Sequence, residues 1–558
     1  MYSISYVTIT YGLIKTKLQS IRYSISKHID HIDNTIKWPD FNTWIKHLKN
    51  TPIVSDTINT PLVFDSYFCL YFSRYFDFQN RLINNISQRF FLINRSGADQ
   101  IDSCTTTNKS IQNDSIDFDR SFFIKEAIVD EMLGKYLPGS DKHIISQKKA
   151  VKNSLMNNFT IISGGPGTGK TYIVSIIQKI ILSYAKKYNL PEPEIICMAP
   201  TGKAASKMDG AKTIHSVLRP LKDKPGFYYN KNNPMLTDVV IIDEASMIDI
   251  SLLTRLFEAI PLKAKVILLG DKHQLSSVQA GSVFTDICSV KNLDPNIFFL
   301  EYNFRSKGKT GIEKLSKAIN SSDADNLENI LTSNKYPDVE FEPLDDQGIP
   351  ENFINKHIID GYKAFLNADT IKDALDKIDN FKILCAHNSG EYGTLQINYF
   401  CEKILRAANN FNTGKKKFKK IVMVNTNDYK KGLFNGDTGI WFDNKGGKKA
   451  FFKTFDNNIK QYQTLDLPDN DTAFAITIHK SQGSEFKTVL IILPDRISPV
   501  ITRQLLYTGV TRAQTKVIII GNLKIIQKAI GLSVRHSSGL TDYLRNRLKI
   551  NQNSDFID

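Results

Sequence analysis

The sequence predicts an α/β protein in which two parallel-sheet domains follow a small helical module, with a small β module inserted in the second. Three observations favour this class: helical apolar spacing in the first hundred residues, short apolar runs alternating with helical patterns after residue 120, and a glycine-rich turn between one run and the next helical pattern. A chain of 558 residues is too long for one core and should divide into about four domains or subdomains.

Large apolar side chains near the N-terminus recur at roughly helical spacing, as at Phe72, Tyr75, Phe76 and Phe78. Residues 103–119 are polar and carry no periodic apolar pattern, which is typical of a linker. We therefore expect residues 1–119 to form a helical N-terminal module and linker, and we expect this module to contact a partner.

After residue 120, short apolar runs each end in a polar motif, at residues 160–162, 195–198, 239–242 and 266–269. Runs that are apolar throughout and separated by helical patterns indicate a buried parallel sheet. In open α/β sheets the functional side chains gather beyond the carboxyl ends of the strands. A first α/β domain is therefore expected over residues 120–305.

A second series of apolar runs predicts a second α/β domain over residues 306–558, with runs at residues 383–386, 421–424, 475–478, 489–493 and 517–520. Two such sheets would enclose a cleft. Within this domain, turn signals such as Asn435-Gly436 separate strand-like stretches, which predicts an inserted β module at about residues 425–470. The lysine-rich segment 415–420 before it is either a solvated loop or a nucleic-acid contact.

Residues 164–171 read Gly-Gly-Pro-Gly-Thr-Gly-Lys-Thr and match the phosphate-binding pattern G-x-x-x-x-G-K-[ST] between a strand and a helix. Glycines let successive backbone N–H groups surround phosphates, and the helix N-terminus adds to the attraction. Lys170 would reach the β/γ-phosphates, and Thr171 would place its hydroxyl on Mg²⁺. The nucleotide-binding residues predicted here are Gly164, Gly165, Pro166, Gly167, Thr168, Gly169, Lys170 and Thr171.

Two adjacent acidic residues, Asp243 and Glu244, follow the buried run 239–242. Burying unpaired carboxylates is costly, so a cation or a reactive water is the natural explanation. Asp243 would hold Mg²⁺, and Glu244 would orient and deprotonate the attacking water. A helix N-cap is the other interpretation of Asp243.

The net charge of +15 and the pI near 9.2 favour a polyanionic partner, because clustered Lys and Arg release counterions from nucleic-acid phosphate. A base-composition bias in the genome is the other explanation for this composition. The six cysteines form no C-x-x-C pair, so we expect reduced thiols and neither zinc nor an iron–sulfur cluster. With no signal-peptide or membrane-length apolar segment, we expect a cytoplasmic protein without membrane contact.

Further motifs follow in order along the chain, at residues 199–205, 213–215, 270–281, 300–306, 476–486 and 506–513. Together with the phosphate loop and the acidic pair, they resemble the motifs of superfamily 1 helicases. This resemblance implies two RecA-like P-loop NTPase domains that close on ATP and alternate their grip on a nucleic-acid strand.

The resemblance also implies roles for individual side chains. Gln274 would sense the γ-phosphate, and Arg305 and Arg512 would bring positive charge to the transferring phosphoryl group when the cleft closes. Gln147 would read the adenine edge and favour ATP, or it is a surface glutamine on a helix. Four side chains would face the strand: Thr201, His215, His479 and Lys480.

Within this superfamily, residues 120–525 are most similar to RecD, the α-subunit family of bacterial exodeoxyribonuclease V. That similarity implies a 5′ to 3′ DNA helicase in double-strand break repair and recombination, acting on single-stranded DNA and duplex ends beside RecB and RecC. Nuclease activity would belong to the assembled complex. The sequence departs from the family in a short interval over residues 205–213 and in Tyr172, which replaces a small polar residue.

Three alternatives stay open from the sequence. A free-standing superfamily 1 helicase would act without RecB and RecC, and an obligate subunit should expose an apolar patch on the N-terminal module. A non-hydrolysing nucleic-acid clamp is a different class, which Glu244, Gln274 and both arginines argue against. RNA is a further substrate, because stacking and phosphate contacts accept either strand.

Overall fold

The computed structural model describes residues 41–66, 70–96, 124–222, 224–276, 282–304, 310–344, 351–413, 418–428, 430–444, 447–454, 458–532 and 539–554. Within those ranges, no helix combines the length and the apolar character that crossing a bilayer requires.

The described part of the N-terminal module contains two helices and a small sheet that the sequence did not predict. Its elements are α1 (Phe41–Lys49), β1 (Val54–Ser55), β2 (Leu62–Phe64), β3 (Leu70–Phe72) and α2 (Ser73–Ser96). Strand β2 pairs parallel with β1 and antiparallel with β3. The aromatic spacing predicted α2, whereas strands of two and three residues are too short to give a period. The predicted linker, residues 103–119, lies outside the described residues.

The first α/β domain contains a six-stranded sheet of order β6-β5-β7-β8-β4-β9 in which every pair is parallel. All four predicted runs are strands. The strands are β4 (Phe159–Gly164), β5 (Ile195–Ala199), β6 (Lys212–Thr213), β7 (Val239–Ile242), β8 (Lys265–Gly270) and β9 (Ile297–Leu300). In β7, Val239 and Ile241 enter the core on one face, whereas Val240 and Ile242 enter the core on the other. Burial on both faces explains why the run is continuously apolar.

Seven helices described in this domain cover the two faces of the sheet. They are α3 (Glu126–Tyr136), α4 (Lys142–Met156), α5 (Lys170–Lys187), α6 (Gly202–Ala205), α7 (Ile214–Leu218), α8 (Ile250–Ala259) and α9 (Val283–Cys288). Thr201 caps α6 and Asp249 caps α8, each by accepting backbone N–H hydrogen bonds from the first turn. The domain thus has one core on each face of the sheet, as doubly wound folds require.

The N-terminal module is fastened to this domain through α2. Arg89 is 0% exposed, and its guanidinium donates to the carbonyl oxygens of Ile260 at 2.7 Å and Ala264 at 2.9 Å, just after α8. A cation at a helix C-terminus satisfies carbonyls that have no partner within the helix. Phe78 and Leu82 are buried in the same core cluster as residues of α8. The module and the first domain therefore share one core.

The second α/β domain contains a five-stranded parallel sheet of order β10-β19-β18-β11-β17. Its strands are β10 (Val339–Pro343), β11 (Phe381–Cys385), β17 (Ala475–Thr477), β18 (Phe486–Ile492) and β19 (Ala513–Gly521). Its helices are α10 (Gly311–Ser321), α11 (Ala324–Thr332), α12 (Glu351–Leu366), α13 (Ile371–Lys377), α14 (Thr394–Thr413), α15 (Arg503–Val510) and α16 (Leu523–Gly531).

The inserted module is a five-stranded antiparallel sheet of order β15-β14-β13-β12-β16. Its strands are β12 (Lys419–Val424), β13 (Thr438–Asn444), β14 (Gly447–Lys453), β15 (Ile459–Gln463) and β16 (Asn470–Thr472). The run 421–424, expected in the parallel sheet, belongs here instead. Ile421 and Met423 face the core of the second domain while Val422 and Val424 face the core of the module, so β12 is buried on both sides like a central parallel strand.

The last helix, α17 (Leu540–Ser554), departs from the predicted division at residue 306. Leu540, Leu544 and Leu548 are fully buried in the core cluster that α2 and α9 share. Their spacing of four residues places them on one helix face. The chain therefore returns to the first domain and its N-terminal module at its end.

Candidate functional site

The phosphate loop lies between β4 and α5, at the carboxyl end of a central strand. Gly167 and Gly169 have φ values of 78° and 86°, in the left-handed region that favours glycine. A Cβ at Gly169 would lie 2.7 Å from Nε2 of Gln147, so the loop also has no room for a side chain there. The backbone is thus curled as an anion cradle at the start of a long helix.

Lys170 is folded against this loop. Its ammonium donates to the carbonyl oxygens of Gly164 at 2.6 Å and Gly165 at 3.1 Å. Thr168 Oγ1 donates to the Gly165 carbonyl at 2.8 Å, and Thr171 is exposed in the first turn of α5. The predicted nucleotide-binding residues therefore form one turn with a positive charge at its centre.

The acidic pair lies beside the loop, at the carboxyl end of β7. Burial raises the pKa of Asp243 to about 6, the charge of Glu244 adds to the rise, and the charge of Lys170 opposes it. Glu244 has φ 52°, a conformation that costs a non-glycine residue about 1 kcal/mol or more. Asp243 accepts from the Glu244 N–H and Asp249 caps α8, so the helix-cap interpretation of Asp243 does not hold for α8.

Gln274 lies on the next segment, after β8. Its Nε2 donates to Oδ2 of Asp271 at 3.1 Å, and its buried Oε1 has no hydrogen-bond partner among the described residues. Arg512, from the second domain, is 1% exposed; its guanidinium donates to the carbonyl oxygens of Thr508 and Ser484, and its Nη2 is likewise unpaired. Arg305 lies outside the described residues, but the preceding N–H, of Phe304, donates to the carbonyl of Gly167 at 2.9 Å.

Gln147 points into the loop and is 2% exposed, so the surface-glutamine interpretation is wrong. Its Nε2 donates to the Thr168 carbonyl at 3.4 Å, and its buried Oε1 has no hydrogen-bond partner in the described part of the chain. An aromatic cluster that the sequence reasoning missed lies one turn away. His143 stacks on Tyr302 with ring centroids 4.2 Å apart, and Phe304 meets the His143 edge at 5.2 Å. Two aromatic residues just before Arg305 were the signal for it.

A cleft of about 430 Å³ between the two domains includes the loop residues Gly164 and Gly165, Asp271 and the second-domain residue Tyr507. Sequence reasoning gave Tyr507 no role, although it lies only five residues before Arg512. Lys170, Gln274 and Arg512 are not among the lining residues, but each contacts or adjoins one of them. A glycine cradle, a half-buried lysine charge, and unpaired amide and guanidinium groups are the donors and acceptors that a nucleoside triphosphate would satisfy. The residues present therefore fit such a ligand.

A second cleft, of about 370 Å³, contains Thr201, His215, His479 and Lys480. The sequence reasoning placed these four side chains on one surface, and they do line one cleft. Phe434 and Asn435 of the inserted module and Gln482 line it as well. Burial lowers the pKa of His215 and of His479, so both imidazoles are neutral near pH 7. The cleft therefore offers aromatic and hydrogen-bonding groups with two lysine charges, those of Lys203 and Lys480.

Two family models match the chain in these same regions. The model of an AAA domain matches residues 147–280, and the model of a UvrD-like helicase C-terminal domain matches residues 472–520. The first covers the phosphate loop, the acidic pair and Gln274, and the second covers His479 and Arg512.

Curated relatives match over most of the chain. RecBCD enzyme subunit RecD of Haemophilus influenzae is 29% identical over 498 residues, covering 75% of this chain and 75% of the relative. The protein of the same name from Mycolicibacterium smegmatis is 30% identical, covering 72% and 74%. The ATP-dependent RecD2 DNA helicase of Deinococcus radiodurans is 27% identical, covering 70% of this chain and 50% of that protein. With its motifs gathered at two interdomain clefts, the chain belongs to the RecD family of superfamily 1 DNA helicases.

Proposed function

We propose that this helicase hydrolyses ATP and moves 5′ to 3′ along single-stranded DNA, in the cytoplasm, as a subunit of exodeoxyribonuclease V with RecB and RecC. One observation carries the proposal: two residues beside the phosphate loop are hydrogen-bonded to the second domain. Asp271 is bonded to Tyr507, which lines the first cleft, and Leu275 is bonded to Gln482, which lines the second. Nucleotide-dependent movement of the loop segment would therefore reach the strand cleft. On this basis the chain would act in double-strand break repair and recombination.

The phosphate loop, the acidic pair, Gln274 and Arg512 fit hydrolysis of ATP with Mg²⁺. Lys170 would hold the β/γ-phosphates, and Thr171 and Asp243 would hold Mg²⁺, which neutralises phosphate charge when bound. Glu244 would orient and deprotonate the attacking water. Gln274 has a buried amide oxygen that is unpaired among the described residues, and Arg512 has an unpaired donor for developing negative charge. Arg305 would add a second positive charge, a role that rests on the family resemblance alone.

Gln147 and the aromatic cluster support adenine as the base. The unpaired Oε1 can accept from an exocyclic amine while Nε2 donates, a pattern that suits the adenine edge. Tyr302 and Phe304 are each 37% exposed, so their rings are accessible for stacking. The single-stranded substrate is supported by the second cleft, where neutral histidines and Phe434 suit bases and Lys480 suits a phosphate.

Membership of the complex is supported by the relatives named RecBCD enzyme subunit RecD, which match about three quarters of their length. The test is co-purification of the chain with RecB and RecC, followed by unwinding of duplexes that carry a single-stranded tail at either the 5′ or the 3′ end. We expect a stable complex and unwinding from the 5′ tail. Unwinding from the 3′ tail alone would refute the polarity. RNA-tailed duplexes and free RNA test the alternative substrate in the same assay.

A free-standing helicase is the second candidate, favoured by the match to RecD2 of Deinococcus radiodurans. In the described part of the N-terminal module, Ile58, Phe72 and Leu92 are the large apolar side chains more than a third exposed. The face of α2 that carries Phe78 and Leu82 is already buried against the first domain. Processive unwinding by the purified chain, unchanged by RecB and RecC, would establish the free-standing form. Dependence on both would exclude it.

A further inference from the structure

Tyr507 joins the two domains at the phosphate loop. It lies on α15 of the second domain and is 5% exposed, and its hydroxyl donates to Oδ2 of Asp271, in the first domain, at 2.9 Å. A Cβ placed on Gly165 would be 2.9 Å from the same hydroxyl. The Tyr507 side chain therefore reaches across the cleft from the second domain, and its hydroxyl contacts the phosphate loop.

The side-chain carboxylate of Asp271 accepts three hydrogen bonds from described residues. Its Oδ2 accepts from the Tyr507 hydroxyl and from Nε2 of Gln274 at 3.1 Å, and its Oδ1 accepts from the His273 N–H at 3.0 Å. Because the Gln274 amide is tied through Nε2, its Oε1 is the free end of the side chain. The carboxylate thus orients the one amide oxygen that the hydrolysis site offers from this segment.

We propose that Tyr507 is a positioning residue: through Asp271 its hydroxyl holds the Gln274 side chain beside the phosphate loop and makes that position depend on the second domain. The inference rests on the proposed ATPase function. It gives a role to a residue other than the two motif arginines, Arg305 and Arg512. In this proposal Tyr507 does not contact the reacting atoms and acts only through Asp271.

The chemistry of the pair favours this role over packing alone. Burial and the adjacent carboxylate raise the pKa of Tyr507 well above its usual value, so the phenol stays protonated. A phenol has one proton to donate, and it is committed to Asp271. Removing the hydroxyl leaves a buried carboxylate with fewer donors, and a buried charge without its partners is costly.

Two neighbouring hydrogen bonds extend the connection to the strand cleft. The Leu275 N–H donates to Thr508 Oγ1 at 2.9 Å, and Nε2 of Gln482 donates to the Leu275 carbonyl at 2.7 Å. Thr508 follows Tyr507 on α15, and Gln482 lines the second cleft. A displacement of Tyr507 and Gln274 would therefore also move the segment that carries His479 and Lys480.

The test compares Tyr507→Phe with Tyr362→Phe in the full-length chain. Tyr362 is a matched control, because it is a buried tyrosine of the second domain whose hydroxyl donates to the Phe474 carbonyl, away from the cleft. We measure kcat and KM for ATP with oligo-dT present, and duplex unwound per ATP. Tyr507→Phe should lower kcat about tenfold, the loss expected for one buried hydrogen bond to a charged group. KM should stay within about twofold, whereas Tyr362→Phe should change thermal stability alone.

A double variant sharpens the result. If Tyr507 acts through Asp271, then Tyr507→Phe combined with Asp271→Asn should be no slower than Asp271→Asn alone. Additive losses, or equal changes in kcat and KM in the two tyrosine variants, would overturn the positioning role. Absence of strand-stimulated ATPase in the wild-type chain would instead refute the proposed function, so the two failures are distinguishable.

Discussion

The backbone N–H of Glu244 donates a 2.8 Å hydrogen bond to Oδ1 of Asp243, which locks the two acidic residues at the end of β7 into one arrangement. Glu244 has a left-handed backbone, with φ 52°. In the proposed function the two adjacent carboxylates take separate tasks, a cation ligand and a base, although they share one turn. Backbone strain of this kind persists where the surrounding structure holds it in place.

This arrangement predicts that Glu244→Gln binds ATP normally and hydrolyses it at least about a hundredfold more slowly, because the amide cannot accept the proton from water. Binding is followed with a fluorescent ATP analogue and turnover by phosphate release. Lys170→Ala is the contrasting variant, since it removes the charge at the loop and should lose affinity and turnover together. Near-normal turnover of Glu244→Gln would assign the base to another residue.

Much of the fold follows from local pattern. Strands β4, β5, β7 and β8 are predictable because strands buried on both faces are apolar throughout. The same rule assigned residues 421–424 to the wrong sheet, since β12 also lies between two cores. No local signal says which core covers a strand. The return of α17 to the first domain is hidden for the same reason, because leucine spacing indicates an apolar face and not its partner.

The candidate site divides in a similar way. Lys170 and Asp243 occupy motifs whose residue pattern predicts their chemistry, and the role of Gln274 is what the family resemblance implies. Tyr507 and Asp271 are separated by 236 positions, and their contact exists only because α15 packs across the cleft. Such a contact depends on the relative placement of two domains, which periodicity does not encode.

The next prediction concerns the preference for ATP over GTP, which we expect the Gln147 side chain to set. Gln147→Leu keeps the volume near Gly169 and removes both amide groups, so the preference for ATP over GTP in kcat/KM should fall about tenfold. The measurement is turnover of both nucleotides under strand-saturating conditions. Gln79→Leu is the control, since Gln79 is equally buried, at 1% exposed, on α2 of the N-terminal module. An unchanged ratio in Gln147→Leu would remove Gln147 from base recognition.

The burial of Lys382 leads to a prediction about how the stability of the protein depends on pH. This lysine is 0% exposed and its ammonium donates to the Ala473 carbonyl at 2.8 Å, and burial lowers its pKa from 10.5 to about 7. Between pH 7 and 10.5 the unfolded chain binds the proton and the folded chain does not, so stability rises with pH across this window. The cost of the buried charge, at most about 5 kcal/mol, is fully present below pH 7.

Replacing this lysine should therefore stabilise the second domain most at low pH. Lys382→Met removes the charge but leaves the Ala473 carbonyl without a donor, a loss of about 1–2 kcal/mol. We expect the thermal midpoint of the variant to exceed that of the wild type by several degrees at pH 7 and the difference to shrink towards pH 10. Differential scanning fluorimetry of both proteins across this range checks it. A difference independent of pH would mean that Lys382 folds with an ordinary pKa.

The last prediction concerns the strength of strand binding. Nζ of Lys480 lies 3.3 Å from Oδ2 of Asp471 and 2.8 Å from Oδ1 of Asn425, while half of the Asp471 side chain is exposed to solvent. This carboxylate would compete with a strand phosphate for the charge of Lys480, which lines the second cleft together with Lys203. An exposed ion pair contributes at most about 1 kcal/mol to folding, so the thermal midpoint of Asp471→Asn should match that of the wild type.

Strand affinity should change instead. Asp471→Asn should bind a fluorescent oligo-dT about two- to threefold more tightly at low salt, and this gain should shrink towards 0.5 M salt, where the Debye length falls to about 4 Å. Asp469→Asn is the matched control, since Asp469 accepts from Asn425 at 3.2 Å and not from the lysine. Equal gains in both variants would indicate a general field effect. Weaker binding by Asp471→Asn would show that the carboxylate orients Lys480 towards the strand and does not compete with it.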